Sequence, residues 1–103
     1  MPRREPSTNV GYTCPDHTPR PQRALAERAP ASYVGHHVKR AFPGRARHRG
    51  RWEHMWVLVQ RVTEDGDLEG LLDNDPVYNV GYSAGDTVLV PLVMIEDVME
   101  DER

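Results

Sequence analysis

The stretch that most limits what this chain can fold into is "WEHMWVLVQRVT", Trp52–Thr63, followed at once by "EDGD", Glu64–Asp67. Valine and tryptophan at this density favour a strand, since branched and aromatic side chains fit a pleated, half-buried surface. Alternation places Met55, Val57 and Val59 on one face and Trp56, Leu58 and Val62 on the other. Apolar residues on both faces describe a central strand covered on two sides, or one with a face buried in a partner. An Asp-Gly turn then sends the chain back, and "LEGLLD", Leu68–Asp73, reads as the returning strand.

The other elements are arranged around this hairpin. "SYVGHHVKRAF", Ser32–Phe42, alternates with Val34, His36, Val38 and Phe42 on one face, a strand pattern stopped by Pro43-Gly44. "TVLVPLVMI", Thr87–Ile95, reads as the last strand, with Pro91 requiring a bulge or an edge position. The acidic end from Glu96 onward reads as a final half-turn or a frayed tail. "PQRALAERA", Pro21–Ala29, reads as a short helix opened by one proline and stopped by Pro30. Residues 1–20 carry four prolines and no apolar period, the composition of a flexible tail. The expectation is a flexible tail over 1–20 and a single small α+β domain over 21–103. That domain has an antiparallel sheet of about four strands, with an SH3-like curl as an alternative, and one short N-terminal helix. Met55, Val57, Val59, Leu72, Val88 and Val90 are the expected core.

From Val38 onward the chain carries an ordered set of short motifs: "VKRAF", "EHMWVLV", "LEGLLDNDP" and "AGDTVLVPLVMIEDV". In this order they resemble the YegJ-like domain-of-unknown-function family of small bacterial and phage proteins, over about residues 38–98. This chain has Val98 where members of that family carry an aromatic. The resemblance implies a compact antiparallel domain and no assigned reaction. Relatives in immunity-protein-like contexts point, by analogy, to binding roles.

Charge is divided along the chain. Residues 1–51 hold eleven Lys/Arg against three acids, a balance of +8, and residues 52–103 hold two against thirteen, or −11. The formal net charge of −3 conceals this split. Charge pairing within the fold is the leading reading of the asymmetry, ahead of self-association and nucleic-acid contact. Lys39, Arg40, Arg45, Arg47, Arg49 and Arg51 form a basic run ending at Trp52, with Gly44 and Gly50 shaping a solvated loop over Arg45–Arg51. This run is the expected partner surface. Its preferred partner is an acidic surface, that of a partner protein or the acidic end of a second copy of the chain. The alternative is nucleic acid, with phosphates on the arginines and a base stacked on Trp52.

Glu53, His54, Asn74 and Asp97 are the polar residues of the family-like motifs. They are read either as an acid–base cluster or, more simply, as groups that satisfy turns and strand entries. Cys14-x-x-His17 with His36, His37, His48 or His54 matches no metal-ligand spacing, so neither a metal nor a cofactor is expected. A single cysteine precludes an internal disulfide. With no transmembrane-length apolar run and no signal-peptide core, the expected location is the cytoplasm of a bacterium or of a phage's host. The functional expectation is a noncatalytic binding or accessory protein of bacterial or actinophage origin, the alanine-, arginine- and proline-heavy composition suiting a high-GC genome. Apolar residues on both faces of two strands, with opposite charge in the two halves, predict a homo-oligomer, a two-fold dimer first.

Overall fold

The computed structural model describes residues 19–100; the tail expected over 1–20 therefore lies almost wholly outside them. The eleven-residue strand over Trp52–Val62 (β2) is central, as its two apolar faces require. It pairs antiparallel with His37–Pro43 (β1) on one side and Leu68–Leu72 (β3) on the other. Thr87–Val90 (β4) pairs with β3, and Asp97–Met99 (β5) pairs with β1. The result is one open antiparallel sheet of five strands in the order β4-β3-β2-β1-β5.

Five strands replace the four expected, because the acidic segment after Glu96 is not a tail: Val98 stands opposite Val38 at the far edge. The strand expected over Thr87–Ile95 is also shorter than its sequence pattern. It stops at Val90, since Pro91 has no N–H for a ladder, and Leu92–Met94 form a 3-10 turn. With β4 and β5 at opposite edges, the Pro91–Glu96 connection must cross the sheet.

The register defines the core face. Val57 stands opposite Val38 and Leu72, and Val59 opposite Gly70. All six expected core residues are buried, and Phe42, Leu68, Val80, Ile95 and Tyr33 join them. A bulge between Val59 and Arg61 takes Gln60 out of alternation and sets Val62 opposite Leu68. Val62 therefore packs on the core instead of the reverse face expected for it.

The helix is a single turn, Arg23–Ala26 (α1), within the longer span expected. It packs on the Leu92–Met94 turn and is tied to it where the Gln22 amide donates to the Ile95 carbonyl at 2.9 Å. Tyr33, at the end of the 3-10 turn Pro30–Tyr33, is fully buried and donates its hydroxyl to the Leu25 carbonyl at 2.6 Å. Gly35, with φ +91°, ends this lead-in, so β1 starts later than the alternation from Ser32 predicts and Val34 is exposed. Among the described residues no helix is long and apolar enough to cross a membrane.

Candidate functional site

The β1–β2 register carries Glu53 to the head of β2, on the core face opposite Phe42. There its carboxylate is fully buried. It accepts the Val77 amide on both oxygens, at 2.9 and 3.0 Å, and the Tyr78 amide at 2.9 Å. A buried carboxylate needs such donors to offset its lost hydration. Asn74 is buried as well, and its Oδ1 accepts the Trp56 amide at 2.7 Å. Glu53 and Asn74 thus fasten the segment after β3 alongside β2, which places Tyr78 and Asn79 beneath the arginine loop.

The arginine loop is built on that segment. The Arg45 amide donates to the Asn79 carbonyl at 2.7 Å, and the Asn79 amide donates to His48 Nδ1 at 2.8 Å. The His48 and Tyr78 rings pack at a 40° tilt with centroids 5.0 Å apart. The Gly44 amide closes the loop onto the Arg51 carbonyl at 2.8 Å. A Cβ at Gly44 would lie 2.2 Å from the His48 carbonyl oxygen, so only glycine permits this approach. Ala46–His48 form a 3-10 turn. The segment expected to be an extended, solvated loop is therefore a folded platform, with Arg45, Arg47, Arg49 and Arg51 exposed on it. Arg51 lies 6.0 Å from the Tyr78 ring centre, and Trp52 is half-buried at the start of β2, opposite Pro43.

Lys39 and Arg40 point to opposite faces of β1. Lys39 lies on the reverse face with its Nζ 5.4 Å from the centre of the Trp56 ring. Arg40 lies on the core face opposite Met55 and stacks 4.1 Å over the Phe42 ring. Its Nε donates to the Ala41 carbonyl at 3.0 Å, and its Nη1 reaches the Leu89 carbonyl of the edge strand β4 at 2.9 Å. Burial lowers the Arg40 pKa, partly opposed by Tyr82 and Glu96.

The charge pairing expected between the halves is only partly present. Arg28 pairs across them with Glu100 at 2.8 Å, whereas Arg61–Glu69, at 3.2 Å, lies within the acidic half. Among the described residues no carboxylate pairs with Arg40, Arg45, Arg47, Arg49 or Arg51.

The four motif polar residues take separate partners. His54 Nδ1 lies 2.7 Å from Glu96 Oε1, and Glu96 Oε2 accepts the Arg20 amide at 2.7 Å. Asp97 is exposed, with its Oδ1 on the Val98 amide. That Glu96 and not Asp97 stands beside His54 has a geometric cause. Asp97 is the ladder partner of Lys39, yet the Glu96 amide also donates to the Lys39 carbonyl at 2.8 Å. Two residues opposite one make a bulge, which turns Glu96 inward and Asp97 out. A second pair, His37 Nε2 with Asp73 Oδ2 at 2.6 Å, lies on the same reverse face and carried no sequence signal. Cys14 and His17 lie outside the described residues, among which no group of three His, Cys, Asp or Glu is placed to hold a metal ion.

The family model described as "Uncharacterized protein conserved in bacteria (DUF2314)" matches residues 23–102. No curated protein and no solved structure matches the chain.

Proposed function

The chain belongs to this bacterial family, and on that premise we propose that it is a noncatalytic binding protein whose arginine platform docks on an acidic surface of a partner protein. One observation carries the reading: four exposed arginines stand on a loop fixed by backbone and ring contacts, and no carboxylate among the described residues neutralises them. A charged surface held in place before binding loses less entropy on association and selects its partner by charge. Glu53 and Asn74 serve this platform by anchoring its base. The narrower YegJ-like placement, a bacterial or actinophage origin, a cytoplasmic setting and a two-fold dimer belong to the same proposal.

Nucleic acid is the rival occupant, and salt separates the two. The protein reading predicts weak binding to a short duplex or single strand at moderate salt. It also predicts that an Arg45/Arg47/Arg49→Ala variant keeps its fold. The reading is rejected if the parent binds an oligonucleotide tightly and the variant's salt slope is shallower by about one unit for each phosphate-binding arginine removed.

A further inference from the structure

Arg40 differs from every arginine of the platform. Its guanidinium is held on the core face of β1, against the ring of the fully buried Phe42, and its reach to the Leu89 carbonyl fixes it at the edge of β4. Two of a guanidinium's five N–H donors are used, by Ala41 and Leu89. The other three have no acceptor among the described residues. Among the described residues no carboxylate pairs with it; Glu96, the carboxylate that acts on it at longer range, is held by His54 and the Arg20 amide. A half-buried cation with no counter-ion among those residues is costly to hold. The ring face offsets only part of that cost.

The surroundings describe what would complete it. Tyr82, exposed, meets Phe42 edge-on at 6.1 Å between centroids. The Leu89 side chain, paired with Glu69, is exposed on the reverse face, so only its backbone carbonyl borders the guanidinium. An arginine with locked orientation beside an exposed aromatic side chain has the composition of an interface anchor. The planar fork matches a carboxylate or a phosphate; one positive charge balances the singly charged carboxylate and leaves a phosphate dianion partly uncompensated.

We infer that Arg40 is an oxyanion receptor: it takes one side-chain carboxylate of an acidic segment of the partner protein beside Tyr82. This rests on the partner-binding reading above and identifies the point at which one acidic residue is selected. The arginine platform supplies the diffuse attraction around it.

The test is a titration of the full chain with an N-acetylated, amidated tetraglutamate peptide at low ionic strength, followed through the arginine Nε–H resonances. Sodium chloride at matched ionic strength and inorganic phosphate are run in parallel. The Arg40 Nε–H signal should shift saturably with the peptide and not with chloride. Arg40→Lys keeps the charge but loses the fork, and should weaken the peptide roughly tenfold or more. Arg47→Ala/Arg49→Ala should weaken it no more than about threefold, through screened long-range charge. Because the parent titration needs no variant, a folding defect in Arg40→Lys leaves the test intact. Shifts confined to Arg45, Arg47 and Arg49 overturn the receptor and leave the platform reading standing. No shift at any arginine overturns the receptor and removes acidic attraction from the platform as well. Phosphate moving Arg40 at lower concentration than the peptide overturns the carboxylate assignment.

Discussion

Glu53 shows how much a single buried side chain organises here. Its two oxygens hold the amides of Val77 and Tyr78, so a residue of β2 sets the height of the loop that supports the arginines. Glu53→Ala should lower stability by about 2–4 kcal/mol, since it leaves buried amides without an acceptor. Glu53→Gln keeps one acceptor oxygen and should lose less. Chemical denaturation measures the first effect. Hydrogen exchange measures the second, with the Val77 and Tyr78 amides exchanging faster while those of Val38 and Val57 remain slow. Equal exchange at Val77 in Glu53→Ala and in the parent would show that the carboxylate does not hold the loop. At this scale the sequence was informative about which residues matter and silent about partners. Glu53 and Asn74 stand out as polar groups within apolar motifs, but the amides that they accept lie 18 to 25 residues away. The exchange of Asp97 for Glu96 beside His54 follows from a bulge, which alternation cannot reveal.

Among the elements, the β2–β3 hairpin is the framework. Its strands and turn were legible because period-two alternation and an Asp-Gly turn are local signals. The Gly66 amide donates to the Thr63 carbonyl with Gly66 at φ +89°, as such a turn requires. The bulge opposite Gly70 was not legible. A Cβ at Gly70 would lie 2.1 Å from the Leu58 carbonyl oxygen and 2.9 Å from Val59 Cα, both backbone atoms that cannot swing aside. Gly70→Ala should therefore destabilise the domain by about 3 kcal/mol through overpacking. A thermal melt within a degree of the parent would mean that the two strands separate more easily than their register implies. β5 escaped sequence reading for a different reason. It has three residues, lies among acids, and owes its strand character to pairing with β1 some sixty positions earlier. The Pro91 break shortened β4 for a reason visible in the sequence, though where the chain went afterwards was not.

For the whole molecule, charge and exposed apolar surface are the features that folding leaves unused. Val77 and Val93 are largely exposed, and Leu89 is exposed on the edge strand β4. Together with the segregated charge, these features predict a dimer at micromolar concentration in low salt that dissociates as salt rises. Sedimentation velocity showing monomer alone under those conditions would rule self-association out. Whether the arginine platform binds an acidic protein surface is decided by affinity capture from a bacterial lysate, comparing the parent with Arg45/Arg47/Arg49→Ala before and after nuclease treatment. The predicted result is a discrete set of acidic proteins that the parent retains after nuclease and the folded variant loses. Capture that disappears with nuclease, or that the variant retains in full, would contradict it.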